Sequence, residues 1–334
     1  MLKYVVRRLI AAIPVLFGLS IVVFAFVHLL PGDPVAALLG QHATPQLTEQ
    51  IRRQMGLDQP LYAQYLIYLG QLAQFDLGKS VINNRPVVDE LARRFPATIE
   101  LSAAALLFAI GLGIPLGRLA ASYAQRWPDA LVTVVSLLGI SIPIFVLGYT
   151  LQFLFGATLQ WLPASGRINP RLNIEAVTGF MLIDTLLAGR FEAFLDALRS
   201  LILPAIALGS IPLAIITRIT RAAVLDVSNE DYVRTARAKG LPERRVSDRH
   251  IMRNAWLPVV TVIGLQVGGL LAGAVITETV FSWSGVGSYI VNAIQDHDYL
   301  VVQSTILVFA TIFLVVNLVV DITYAFLNPR IRYS

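Results

Sequence analysis

The stretch VVQSTILVFATIFLVVNLVVDITYAF, Val301–Phe326, decides the fold: Asp321 is its one charged residue. A helix needs about 20 predominantly apolar residues to cross the hydrocarbon core of a bilayer. Stretches of this kind recur along the chain, at Leu9–Leu30, Thr98–Ala121, Ala130–Phe155, Leu201–Ile219 and Leu257–Phe281. The reading is an all-α integral membrane protein with about six crossings. Composition agrees, since the 334 residues are 56% hydrophobic and 14% charged. A soluble domain is about a quarter charged.

The first stretch follows Lys3, Arg7 and Arg8, as a signal peptide would. It is too long for a signal h-region, and Pro31-Gly-Asp-Pro34 follows it in place of a small-residue cleavage site, so a retained anchor is expected. The expected organisation is an anchor helix over 1–30, an extracytoplasmic segment over 31–97 and a membrane domain over 98–326. That domain includes a charged loop at 226–256, and a short tail covers 327–334. The piece Gly179–Leu187 is apolar but too short to span, and Asp184 interrupts it.

Basic residues set the expected orientation. With the N-terminus in the cytoplasm, inside segments hold Lys3, Arg7, Arg8, Arg118, Arg126, nine basic residues between 218 and 256, Arg330 and Arg332. The short outside loop 283–300 has no Lys or Arg and carries Asp296 and Asp298. Both termini are therefore expected in the cytoplasm. The net charge of +5 belongs to this loop bias and not to a nucleic-acid face.

Catalytic signatures are missing. There is no HExxH, no GxSxG and no cysteine. Gly78-Lys79-Ser80 ends like a phosphate-binding loop, but Ala73 stands where its first glycine belongs. No metal site or cofactor is expected in this chain, and any ATP use falls to another one. The pairs Gly113/Gly117, Gly264/Gly268 and Gly269/Gly273 let helix backbones approach closely. Pro14, Pro115, Pro143 and Pro212 are expected to kink their spans.

The 218–256 loop reads as two short helices. Ser228-Asn-Glu-Asp231 fits a capping box for a helix from Glu230 to about Lys239. Gly240 would supply a left-handed stop, and Pro242 would start the next segment. Tyr232, Ala236 and Lys239 fall on one face by helical spacing. A short, sharply stopped helix with small residues suits docking into a partner's cleft; a solvated loop without a partner is the plain alternative.

The stretch Asp231-Tyr-Val-Arg-Thr-Ala-Arg-Ala-Lys-Gly-Leu241, with Arg253-Asn-Ala-Trp-Leu-Pro258 behind it, resembles the coupling loop of binding-protein-dependent ABC permeases, the peptide branch in particular. The general family motif has Glu-Ala-Ala where this chain has Arg234, Thr235 and Ala236. Further carriers are Phe26-Val-His-Leu-Leu-Pro-Gly-Asp-Pro34, Leu57-Asp-Gln-Pro60, Asp76-Leu-Gly78, Thr98-Ile-Glu-Leu101, Thr277-Glu-Thr-Val-Phe-Ser-Trp283 and Asn328-Pro-Arg330. Ile263–Thr277 and Thr178-Gly-Phe-Met-Leu-Ile-Asp-Thr185 are similar to the dipeptide branch. Ser284 departs from the family, which often has Pro before Gly285.

The resemblance implies the type I ABC importer permease fold and a non-catalytic permease subunit that imports dipeptides. It implies a homologous permease, two ABC ATPase subunits that bind ATP and Mg, and a periplasmic or lipid-anchored dipeptide-binding protein. Tyr232, Arg234, Ala236, Lys239 and Gly240 would meet the ATPase. Three ionisable residues at span ends are candidates for the pathway or for buried structural roles. Glu278 would meet the amino group of a passing dipeptide or hold a structural hydrogen bond. Asp321 would pair with Arg8 or Arg218, and His28 would sit at the interface. Relatives for glutathione, longer peptides or nickel remain open, as does an ion-gradient transporter. The latter would often show inverted repeats, and none is convincing here.

Overall fold

A computed structural model describes the backbone of residues 2–29, 35, 44–54 and 56–327. Among the described residues the fold is helical, with one isolated β-bridge between Lys79 and Pro86. The helices are α1 (Leu2–Leu29), α2 (Pro45–Gln54), α3 (Leu61–Ala73), α4 (Val87–Ser122), α5 (Trp127–Ser141), α6 (Ile144–Leu151), α7 (Met181–Leu187), α8 (Phe191–Ser228), α9 (Asp231–Ala238), α10 (Arg253–Val280), α11 (Val286–Gln295) and α12 (Tyr299–Leu327). The chain divides into two compact units. One holds Ala97–Trp283 and the chain from Val316; the other holds Leu2–Pro96 and Ser284–Val315.

In the first unit α8 is the core helix. Of its most apolar window 72% is buried, against 28% for α4. Its long row of Ala, Gly, Ser and Thr explains this, because small side chains let neighbours close in. A Cβ on Gly117 of α4 would lie 2.5 Å from the Thr217 carbonyl oxygen of α8, so any other residue there forces the helices apart. The expected packing role of the glycines holds at Gly117, and at Gly264, where a Cβ would lie 2.6 Å from Val320.

The third expected span is broken. α5 and α6 meet at 103° across Ser141–Pro143. Pro143 drives the residue before it out of the helical region, and Ile142 is extended at φ −81°, ψ 121°. After α6 the helix widens to a π-turn, Gln152–Thr158, held where Gln152 Nε2 donates to the carbonyls of Ala164 (2.8 Å) and Val280 (2.9 Å).

Hydrogen-bonded groups must share a side of the membrane, and this fixes how the bent pair runs. Glu100 lies near the start of α4, and Arg167 beyond the bent pair bonds it at 2.7 Å. Arg118, near the end of α4, bonds Asp248 beyond α8 at 2.5 Å. In each case α4 or α8 contributes one crossing, so α5–α6 must contribute another; a re-entrant turn would leave the partners a hydrocarbon core, about 30 Å, apart. With α4, α8, α10 and α12 this makes five spans. α1, apolar over Ile10–Phe26 and 28 residues long, is consistent with a sixth.

In the second unit, Ser80 Oγ donates to Asp298 Oδ2 (2.6 Å), Val81 N donates to the same oxygen (3.0 Å), and Ser304 Oγ donates to the Leu77 carbonyl (2.8 Å). Val87, Leu91, Val286, Tyr289, Val301 and Val302 form its apolar core. The expected short loop 283–300 thus contains a packed helix, α11, and its Asp298 is buried.

Candidate functional site

The 228–256 loop is a small folded body. α9 ends in a Schellman arrangement: Gly240 N donates to the Arg237 carbonyl (2.9 Å) and Leu241 N to that of Ala236 (3.4 Å). Gly240 takes φ +75°, the left-handed value that its lack of a Cβ allows. The expected capping box does not form. Ser228 closes α8, with its hydroxyl donating to the Val224 carbonyl (2.6 Å), and Glu230 stands at the cap without a side-chain bond. Ser228 is still the last residue of α8, two residues before the cap position of α9, so its hydroxyl is not placed to accept from the first turn of α9.

Val233 and Ala236 turn inward and join Ala121, Val224, Val246, Ile251, Met252, Ala255 and Val259 in one apolar cluster. The helical-spacing face of Tyr232, Ala236 and Lys239 is therefore divided: Ala236 is buried, while Tyr232 and Lys239 stay exposed. Tyr232 leans back on the loop. Its hydroxyl donates to the His250 carbonyl (3.3 Å) and accepts from Asn254 Nδ2 (2.8 Å). Arg237 grips Glu243 through two bonds of 2.8 and 3.1 Å. Arg118 of α4 donates to Ser247 (3.0 Å) and pairs with Asp248. Arg234, Lys239 and Gly240 remain on the outer surface beside exposed Arg244. Before α10 the backbone passes through a π-helical turn, Val246–Met252.

The other candidates fall elsewhere. Glu278 has no exposed surface and accepts from Thr98 Oγ1 at 2.6 Å, so it presents nothing to a passing solute. The structural reading of Glu278 thus fits the geometry. His28 is exposed at the end of α1, with its ring nitrogens on the Phe24 carbonyl (2.8 Å) and Gln64 Oε1 (3.1 Å). The side chains of Asp321 and Arg8, and the Asn328-Pro-Arg330 motif, lie outside the described residues. Among the described residues no cluster of His, Cys, Asp or Glu has the geometry to hold a metal ion.

Two family models match the chain. The model for "binding-protein-dependent transport system inner membrane component" covers residues 113–333, and its N-terminal companion covers 1–102. The chain belongs to this family. It is a permease subunit of an inner-membrane transport system that works with a binding protein. It is 52% identical to the di/tripeptide transport system permease of Pseudomonas aeruginosa and 46% identical to the dipeptide transport system permease of Alkalihalophilus pseudofirmus. It is 43% identical to a glutathione transport system permease of Escherichia coli. Each alignment covers 100% of both chains.

Sequence reasoning about this permease overlooked two ion pairs whose carboxylates are buried, Glu100–Arg167 and Asp129–Arg221. Arg167 and Glu100 are 12% and 7% exposed. Glu100 Oε1 also accepts from Leu182 N (2.8 Å), Arg167 donates to the Gly179 carbonyl (2.9 Å), and its guanidinium lies 5.5 Å from the Trp283 ring centroid. Asp129, at the start of α5, takes a two-pronged grip from Arg221 of α8 at 2.5 and 2.7 Å. Glu100 and Asp129 both stand at the edge of an apolar run, the one sequence signal that could have marked them.

Proposed function

We propose that this chain is one of two membrane subunits of an ATP-driven dipeptide importer, with a homologous permease completing the pathway. Two ATPase subunits would bind ATP and Mg and dock below; a dipeptide-binding protein would deliver substrate from outside. The observation that carries the reading is the full-length relationship to permeases named for di- and tripeptides, at higher identity than to the glutathione permease cited above. The bias of basic residues supports cytoplasmic termini and a cytoplasmic 228–256 loop.

In this reading the loop is the lever. ATP-driven closure of the ATPases presses on Tyr232, Arg234, Lys239 and Gly240. Ala236 anchors the lever from beneath, through the apolar cluster that joins α9 to the end of α8 and the start of α10. Arg118 carries the displacement to α4. A push shifts the spans only if the contacts differ in free energy between inward- and outward-facing states. The test is uptake of labelled dipeptides, glutathione and nickel by a deletion strain carrying this gene. Dipeptide uptake that depends on the gene supports the proposal; uptake of glutathione or nickel alone overturns the substrate class.

A further inference from the structure

We propose that α3 (Leu61–Ala73) lies within the outer-leaflet half of the bilayer, presenting Tyr62, Leu66 and Ile67 to lipid acyl chains. Its place is set by its contacts with α1. Tyr65 lies 2.9 Å from Ser20, whose own hydroxyl hydrogen goes to the Phe17 carbonyl, so the tyrosine is the donor. Ser20 is buried and lies inside the apolar run Ile10–Phe26. It is eight residues before His28, or about 12 Å along a helix. Phe24 packs on Tyr65 and Tyr68 at centroid distances of 5.2 and 6.1 Å. Phe17, Ser20, Phe24 and His28 form one stripe of α1, and α3 lies across it.

The helix is built inside out for water. Most of its polar groups face α1: Gln64 holds His28 and donates to the Gln59 carbonyl (2.7 Å), and Tyr65 holds Ser20, while Gln71 in the last turn is exposed. Its outer face carries Tyr62 (72% exposed), Leu66 (63%) and Ile67 (47%). No charged residue occurs between Asp58 and Asp76. A helix against water reverses this pattern, apolar toward the protein and charged outward. Polar in and apolar out is the arrangement for an apolar solvent.

Lipid suits this face better than a second protein chain. Helix–helix contacts in membranes favour small residues four apart. On this face Tyr62 pairs with Leu66, Ala63 with Ile67, and Leu66 with Gly70, so no such pair exists. Tyr62 at one end and Phe75 (88% exposed) beyond the other suit an interfacial level. The extracytoplasmic segment would then be the part of 31–97 outside α3.

The chain has no cysteine, so single labels need no substitution within it, and the importer without an introduced cysteine gives the partners' labelling background. Leu66→Cys, Ile67→Cys and, as an aqueous control on α2, Gln46→Cys are nitroxide-labelled in the assembled importer in proteoliposomes. Collision rates with oxygen, which concentrates in lipid, and with a water-soluble nickel chelate are read by power saturation. The expected result is an oxygen-to-nickel ratio several-fold higher at Leu66 and Ile67 than at Gln46. A ratio equal to that at Gln46 places α3 in water and overturns the proposal. Low access to both reagents at Leu66 and Ile67 means that protein covers the face, and also overturns it. Transport activity of each labelled importer shows that it is assembled.

Discussion

Two loops of the first unit are both pinned by ionic groups, yet they are built in opposite ways. In the 159–190 loop, the ion pair to α4 and the carboxylate of Asp184 are buried. Glu100 of α4 and Arg167 face each other, and Asp184 accepts Thr178 N (2.7 Å), Thr178 Oγ1 (2.7 Å) and Gly179 N (3.0 Å). In the 228–256 loop the interior is apolar and the ions lie outside: Arg237–Glu243 and Arg118–Asp248 are exposed or half-exposed on both sides. A buried pair is costly to break, because one lost partner strands the other. Exposed pairs contribute little, about 0–1 kcal/mol. The first loop is therefore locked to the spans, while the second is a solid body whose polar attachment to α4 can be exchanged cheaply, as a moving part requires.

The largest test of this contrast is Glu100→Ala. It leaves the Arg167 guanidinium, 12% exposed, without its carboxylate, and the expected cost is about 3–5 kcal/mol. The readout is the yield of detergent-stable protein, which should collapse. Glu100→Gln with Arg167→Met, which strands no charge, should restore part of it. Equal yields for the single and double variants would mean that the pair does not lock the loop.

Asp184 gives the next effect and a sign with pH. Burial works against its charged form, but the hydrogen bonds from Thr178 and Gly179 outweigh burial and hold its carboxyl below the ordinary aspartate range. Its contribution is complete above the unfolded value and fades as pH falls through the lower folded one. Protease resistance of the 159–190 loop should therefore drop only in strong acid. Asp184→Asn should weaken the loop at neutral pH, by about 1.5–3 kcal/mol, and flatten the acid limb.

Sequence pattern exposed the spans because a long, almost uncharged apolar run has one solvent it can occupy; Val301–Phe326, with Asp321 its one charge, needs no partner to be read. It also exposed the stop at Gly240, since left-handed backbone selects glycine, and φ there is +75°. It did not reveal the inward turn of Ala236, because helical spacing groups residues without saying which group faces the core. The capping box at Ser228 was misread for a related reason: the motif is local, and α8 runs on to Ser228, about two and a half turns beyond the apolar run that ends at Ile219. The 103° break at Pro143 was legible as a kink but not as a right-angled turn. Asp129 and Asp298 looked like loop charges and Glu100 like the edge of a span, because burial comes from partners far along the chain.

Gly240 carries a smaller stability effect, and it separates backbone strain from docking. A side chain there costs about 1–2 kcal/mol for left-handed backbone. A Cβ would meet nothing within 4 Å, so size adds no further cost inside this chain. Gly240→Ala and Gly240→Trp should therefore insert and fold alike. If the surface docks an ATPase, dipeptide uptake should survive in the alanine variant and fall to background in the tryptophan variant. Normal uptake with tryptophan would remove Gly240 from the docking surface.

The smallest stability effect belongs to Arg118→Ala, which removes a pair 38% and 47% exposed, worth at most about 1 kcal/mol. Thermal stability should barely move. If the pair is the loop's exchangeable link to α4, ATP hydrolysis by the assembled importer should continue while dipeptide uptake per ATP falls. Arg118→Lys, which keeps the charge and loses the planar fork, should recover part of that ratio. A merely structural residue would lower hydrolysis and uptake together. An unchanged ratio in Arg118→Ala would place the whole linkage between loop and spans in the apolar cluster around Val233 and Ala236, and the contrast between the two loops would then lie in their interiors alone.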